Sequence, residues 1–438
     1  MKMNRYDVVV AGGGPAGTAA AIAAARNGAK TLLIEQYGFL GGTPVNALVP
    51  VFCPFSDKER AIIRGIGLEI LEEMKSESWI NPEPEENNGI TALDWVVIDP
   101  EVLKRVLDKI VLESGVELWL HSLVTEVECN DGRVERIVVC GKGGKTCVEA
   151  DVFIDCTGDA DLAALAGAGF EYGDNEGRVQ GMTLCFRLAG VDGQRFLNYK
   201  KEVNEDGNLH VAVHRAKENG DFPSGEANVA TFALQNLDMA GVNFGHSFEK
   251  SPLDTTHLTQ AEVESRKRLS ELVQFFRNYV PGMEHCYIAA SGPAIGVRET
   301  RRIEGEYRLT REDYMQRRQF EDAVVRYAYP IDVHACRGTV KGKDDQDDYI
   351  MTAYAPGESY TIPYRALLPK ALSNVIVAGR ALSSDRAANG SARVAPACFA
   401  MGQAAGTAAA ICVLEKREVK KIDIQNLRAL LEAQGVCL

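Results

Sequence analysis

The chain has 438 residues, 46% of them hydrophobic, enough for two domains or for one large domain with an insertion. A net charge of −13 with no run of Lys and Arg speaks against nucleic acid and anionic membrane surfaces as partners. Eleven cysteines with no C-x-x-C pair argue against a disulfide framework, a zinc ribbon and an iron–sulfur cluster, and suit a reducing cytoplasm.

The first predicted strand follows the N-terminus at once, leaving no room for a signal peptide. Val8 to Ala11 are four consecutive apolar residues, and they run into Gly12, Gly14 and Gly17, spaced as G-x-G-x-x-G. An Ala-rich helix from Pro15 to Asn27 follows, and a second apolar run, Thr31 to Ile34, ends at Glu35 and Gln36. Strand, helix, strand and terminal acid in register make a βαβ unit with a dinucleotide fingerprint. Gly12 permits the tight turn, Gly14 lets a pyrophosphate approach, and Gly17 lets the helix pack closely. The helix start at Pro15 and Ala16 offers free N–H groups and a positive dipole end to phosphates. Glu35 stands where a carboxylate can accept from ribose hydroxyls. The pattern E-x5-G-G-T, formed with Gly41, Gly42 and Thr43, resembles the extended motif of glutathione-reductase-like FAD proteins.

Downstream, residues 46–57 read as irregular chain, Lys58 to Ser78 as a helix, and Asn81 to Gly89 as a polar surface loop. Asp99 and Pro100 are the N-cap and first position of another helix that ends near Gly115, and VELWL is a strand. From Leu123 the pattern changes to a β-meander with turns at Asn-Asp-Gly and Gly-Lys-Gly-Gly-Lys. It delivers the chain to the buried strand Val152 to Asp155, followed by Cys156-Thr157-Gly158-Asp159. Between Val179 and Tyr327 there is no second βαβ unit, only alternating runs and a long amphipathic helix, Thr259 to Tyr279. His210 and His214 are spaced i,i+4 but lack a ligating neighbour, so they read as surface residues and no metal site is expected. Lys341 to Asp348 is an acidic loop. The strand Asn374 to Val377 then leads into Ala378-Gly379-Arg380 and a small-residue helix from near Pro396. The apolar run Met401 to Leu414 is too short to span a bilayer.

GGGPAG, EQYGFLGGT, IDCTGDADLAALAG, GVRETRRIEGEY, YPIDVH, IPYRALLP and VAGRALSSDRAANGSARVAPACFAMGQAAG together resemble the FAD-dependent oxidoreductase family, related to glutathione reductase and fumarate reductase. The resemblance covers almost the whole chain. It implies an α/β fold with a Rossmann-like FAD-binding domain of glutathione reductase type, residues 1–178 and 328–438. Residues 179–327 would form an inserted α+β cap over the flavin. The resemblance places Val124, Thr157, Gly158, Asp159, Gly379, Arg380, Arg393 and Ala397 with the cofactor. GGTPVNALV departs from the disulfide-reductase pattern, with Pro44 and Val49 in place of the redox thiols, so dithiol chemistry is excluded. Without a second fingerprint, a nicotinamide would have to reach the flavin through the substrate site.

Chemistry beside the flavin needs a group to hold substrate and a group to move a proton. Arg298, Arg301 and Arg393 are expected to converge on one pocket with Glu299 and Asp332 offsetting their charge. His334, whose ordinary pKa lies near neutrality, is the acid/base candidate. Ion pairs tying the cap to the cofactor domain are the competing role for this Arg/Glu set. The expected function is hydride transfer between flavin N5 and a small polar or anionic substrate. Two other readings stay open: a flavoprotein with mainly structural FAD in a modifying or regulatory assembly, and an NAD-dependent dehydrogenase. A homo-oligomer is compatible with either class.

Overall fold

Val8, Val9 and Val10 have no exposed surface, as a strand covered on both faces by helices and sheet requires. They belong to the strand Met3–Ala11 in a computed structural model that describes residues 3–78, 90–223, 226, 228–337 and 353–438. Met3–Ala11 lies at the middle of a seven-stranded sheet, parallel to Thr31–Ile34 on one side and Gly144–Asp155 on the other. Glu117–Trp119 extends the first side, and the meander Leu123–Asn130 and Arg133–Gly141 extends the second. Gly144–Asp155 has two roles. Its first half closes the meander in antiparallel register, and its last three residues also pair in parallel with Val375–Val377. The C-terminal part of the chain rejoins the sheet through that pairing.

The helix Pro15–Arg26 packs on Ala395–Glu415 with backbone almost against backbone. A Cβ at Gly402 would lie 2.0 Å from the Ala16 carbonyl oxygen, and one at Gly406 would lie 2.1 Å from that of Ala20. Small residues are what permit this contact. Ala395–Glu415 has 21 residues and is long and apolar enough to cross a bilayer, unlike the shorter run read from the sequence. Almost all of it is buried inside the protein.

The helix expected from Lys58 begins only at Ile66 and ends at Glu77. Gly65, at φ +59°, breaks the path into it, and the Gln403 amide oxygen accepts from the Ile66 N–H and fixes the start. The helix expected at Thr259 starts a turn earlier, over Thr255–Tyr279, capped by the Asp254 carboxylate. Loops 81–89 and 341–348 lie outside the described residues.

A second core is built from Phe186, Phe232, Phe244 and Phe276. It lies under a four-stranded antiparallel sheet ordered Thr231–Asn236, Met239–Asn243, Phe186–Ala189 and Tyr287–Ser291. The expected cap extends to residue 327, yet Leu309, Tyr314 and Val324 pack into the first core. Arg301–Ile303 pairs with Phe170–Tyr172, and Ala323–Tyr327 pairs with Tyr360–Pro363. These apolar residues are drawn back to the first core by pairing partners far away in sequence.

Candidate functional site

A cavity of about 2360 Å³ runs from the glycine loop to the edge of the second core. At the glycine end, Gly12 holds φ +97°, and a Cβ there would meet the Cys156 carbonyl oxygen at 2.4 Å. A Cβ at Gly17 would lie 1.7 Å from the Gly12 oxygen, so helix and strand touch. Gly14 is different: a Cβ there would meet only the Gly42 Cα, at 3.7 Å, and the residue borders the cavity. The helix Pro15–Arg26 has no side-chain cap and no acid in its first turn, so its leading N–H groups and positive dipole end are left for a ligand.

Glu35, only 6% exposed, accepts from Gly13 N–H at 2.7 Å and from Tyr37 N–H at 2.8 Å. Burial pushes its carboxyl pKa up, against those backbone donors. Gly41 N–H donates to the Gly13 oxygen at 2.8 Å and so carries Gly42 and Thr43 to the cavity wall, where Gln36 and Val124 also lie. The Thr157 hydroxyl donates to Asp155 Oδ1 at 2.7 Å and accepts from Asp161 N–H, which shapes the turn bearing Gly158. Arg380 donates to the Gly158 oxygen and to Asp159 Oδ1, joining the two segments that flank the sheet end beside Gly379. Ala397 is fully buried behind the wall, while Arg393, Val394 and Ala395 form it.

Four of the sequence-predicted polar residues meet at the far end. Arg298 donates to the Gly181 oxygen, to Thr183 Oγ1 at 2.6 Å and to Asn243 Oδ1 at 3.1 Å. These are all neutral acceptors, and among the described residues no carboxylate lies in ion-pair range of it. Burial, and then the neighbouring Arg393, bring the Arg298 pKa down to about 10. Arg393 donates to the Asp332 carbonyl oxygen at 2.9 Å and lies 3.7 Å from its carboxylate. Burial acts to raise the Asp332 carboxyl, but His334, Arg393 and Arg298 outweigh it and hold the group well below the usual range. His334 lies with its Nε2 3.3 Å from Asp332 Oδ1. Burial, then Arg298, push its pKa down to about 4, so the ring is neutral at neutral pH.

The chain matches the family model described as FAD dependent oxidoreductase over residues 7–431. It belongs to the FAD dependent oxidoreductase family. Among curated relatives, dihydrolipoyl dehydrogenase of Trypanosoma brucei brucei is 60% identical over 43 residues, 10% of this chain and 9% of that protein. Digeranylgeranylglycerophospholipid reductase 3 of Methanosphaera stadtmanae is 28% identical over 129 residues, 28% of this chain and 31% of that protein. The chain thus spans under a third of the length of these two relatives. A geranylgeranyl bacteriochlorophyll reductase-like structure from Thermoplasma acidophilum aligns with TM-score 0.49 at 14% identity, covering 99% of this chain and 84% of that one.

The protein is an FAD-dependent enzyme, and its cavity fits the cofactor. The glycine cradle is open on its cavity side at Gly14. Two buried polar atoms of cavity-lining residues, Asn46 Oδ1 and Arg393 Nε, have no hydrogen-bond partner among the described residues. Glu35→Ala is expected to weaken FAD retention by about 1–3 kcal/mol, because the glycine loop loses the carboxylate that accepts from the Gly13 and Tyr37 N–H groups. Fluorescence titration of the stripped protein with FAD checks this.

Two sequence-predicted residues are absent from the polar cluster. Arg301 donates to the Asp159 oxygen and to Asp161 Oδ1 and lies over the Phe170 ring, so it ties its strand to the cofactor side rather than facing Arg298. Glu299 is buried between Arg302 and Arg386. His210 pairs with Asp206 and His214 with Glu218, both exposed, and no metal-binding group occurs among the described residues. The sequence reading missed Gln180, Glu226, Asn243 and His246. The Gln180 side-chain oxygen accepts from His334 N–H at 2.8 Å, and His246 contacts the His334 ring. Nothing in their local spacing marked them, because they meet the cluster only through tertiary packing.

Proposed function

We propose that the enzyme transfers a hydride between its flavin and a small organic anion or strongly polar substrate held at Arg298, with His334 taking or giving the accompanying proton. The observation that carries this reading is Arg298 itself. It is a half-buried guanidinium at the cavity wall, bonded only to neutral oxygens and crowded by a second arginine. Such a cation is relieved by an anion of suitable size. A carboxylate supplies that charge with the bidentate geometry a guanidinium favours, and a row of hydroxyls would add neutral acceptors alone.

In this reading Gly12, Gly14, Gly17, Glu35, Gly42 and the start of the helix Pro15–Arg26 hold the dinucleotide part of FAD. Thr157, Gly158, Gly379 and Arg380 shape the turn beside it, and Arg393 closes the wall toward the substrate. The E-x5-G-G-T pattern and the strand order around Met3–Ala11 support a glutathione reductase type of cofactor domain. The second core, residues 179–300 in this assignment, roofs the site. Bound FAD supplies two-electron redox chemistry, and the chain supplies orientation, charge and proton transfer. Arg301 and Glu299 have structural roles. The acidic surface and the free cysteines support a small-molecule substrate and a reducing, cytoplasmic setting.

The experiment is an anaerobic panel of small carboxylic and hydroxy acids, each beside its amide, read by loss of the yellow flavin colour. Acids should bleach or perturb the flavin and the paired amides should not. Equal response to both members of every pair would remove the anion reading. NADH and NADPH should reduce the flavin slowly, since the chain has one dinucleotide fingerprint and FAD occupies it. Stopped-flow absorbance showing fast reduction that saturates at micromolar NADPH would contradict this.

A further inference from the structure

Glu226, His246, His334 and Asp332 form a row in which each group touches the next. Glu226 Oε2 is 2.6 Å from His246 Nδ1, His246 Nε2 is 3.1 Å from His334 Nδ1, and His334 Nε2 is 3.3 Å from Asp332 Oδ1. Ionised carboxylates supply no proton to such a row, and each neutral imidazole supplies one. Three gaps therefore share two protons, and one gap goes without.

Burial and contact length decide which. The Glu226 and His246 side chains are 8% and 4% exposed, and theirs is the shortest contact. The other Glu226 oxygen accepts from the His246 backbone N–H at 2.7 Å, which fixes the carboxylate in place. A bare nitrogen facing that anion would be the costliest arrangement in the row. At the opposite end the His334 and Asp332 side chains are 21% and 23% exposed. Asp332 Oδ2 also accepts from the Tyr329 hydroxyl at 3.2 Å, and the Arg393 guanidinium stands 3.7 Å from it. An empty middle gap would set two ring lone pairs against each other at 3.1 Å, so the two protons fill the first two gaps, on His246 Nδ1 and on His334 Nδ1.

We infer that Glu226 and His246 are positioning residues that hold His334 as the Nδ1–H tautomer, leaving its Nε2 at the cavity wall as the bare, proton-accepting nitrogen. This rests on the reading of His334 as the group that handles the substrate proton. A proton arriving at Nε2 from a bound O–H completes the row, because the new N–H donates at once to Asp332. The charged groups facing His334 are Arg298 and Asp332, with Arg393 beside Asp332 and Glu226 behind His246. Arg298 opposes the extra proton, and an anion seated on it offsets that, so substrate binding favours the transfer.

The test is nitrogen NMR of the full FAD-loaded chain with ¹⁵N-histidine at neutral pH, the His334 signals being assigned by their loss in His334→Gln. The expected wild-type pattern is a protonated Nδ1 and a bare Nε2, favoured about tenfold or more. Glu226→Gln, whose amide can donate to His246 Nδ1, should let the row reverse and bring the Nε2–H form of His334 into view. Glu226→Asp, which keeps the anionic acceptor, should retain the wild-type tautomer. A proton on Nε2 in the wild type overturns the inference. So does a Glu226→Gln protein with full FAD content and an unchanged tautomer. If Glu226→Gln cannot hold FAD, the wild-type tautomer decides alone. The measurement uses no substrate, so it fails or succeeds apart from the anion reading, which Arg298 variants test.

Discussion

Gly14→Ala and Gly17→Ala, three residues apart, are expected to fail in different ways. A methyl group on Gly17 would stand 1.7 Å from the Gly12 oxygen, a distance that no rotamer relieves because the neighbour is backbone. The helix must move off the strand, at an overpacking cost of about 1–3 kcal/mol or more, and the phosphate cradle moves with it. The product should be a colourless chain with a melting temperature well below that of FAD-stripped wild type. A methyl group on Gly14 meets protein only at 3.7 Å, and the residue has an ordinary φ of −74°. That variant should fold as the stripped wild type does and still bind FAD poorly, because the methyl enters the space of the pyrophosphate. Flavin absorbance per chain and thermal melts, compared with the stripped protein to remove the stabilisation that bound FAD itself confers, separate the two cases. Full FAD content in Gly14→Ala, or a Gly17→Ala melting temperature equal to that of the stripped wild type, would contradict the placement of the cradle.

Arg298→Ala and His334→Ala should each keep FAD and slow flavin reduction by about 10²-fold or more, the usual effect of losing a positioned acid/base or charge-binding group. Their pH behaviour adds a second readout. The His334 pKa is pushed down to about 4, so the proton-accepting form prevails above that pH. The kcat/KM for substrate oxidation should therefore be flat through neutrality and fall only as pH drops toward 4. Burial is the first cause of this shift and Arg298 the second. Removing the guanidinium should move the acid limb upward, part of the way to the ordinary histidine value near 6.5. An acid limb that stays in place in Arg298→Ala would show that the two groups do not face each other.

How legible the site was depends on the range of the interactions involved. Gly12, Gly14, Gly17 and Glu35 were readable because turn sterics and helix packing act within one βαβ unit. The expectation that Arg298 and His334 share one cavity followed from the family resemblance, not from local pattern. The expectation that Arg301 would join them failed on partners equally remote in sequence. The side chain finds Asp161 and the Phe170 ring on the neighbouring strand before it can reach the cavity. His246 and Glu226 left no trace in the sequence, because the contact that recruits them joins residues 88 positions apart. The late helix start at Ile66 had the same origin: Gln403, 337 residues downstream, supplies the acceptor that fixes it. Apolar periodicity likewise could not tell which of two cores would claim Leu309, Tyr314 and Val324.

The most direct test of the account is the affinity of FAD-loaded protein for a simple carboxylate, read from the shift in flavin absorbance as acetate or benzoate is added. The wild type should bind the carboxylate saturably and ignore the matching amide. Arg298→Ala, at full FAD content, should bind it at least about tenfold more weakly, as the loss of a charge-assisted hydrogen bond implies. Saturable binding of the amide as tight as that of the acid, or an unchanged carboxylate affinity in Arg298→Ala, would contradict the assignment of Arg298 as the anion-holding group.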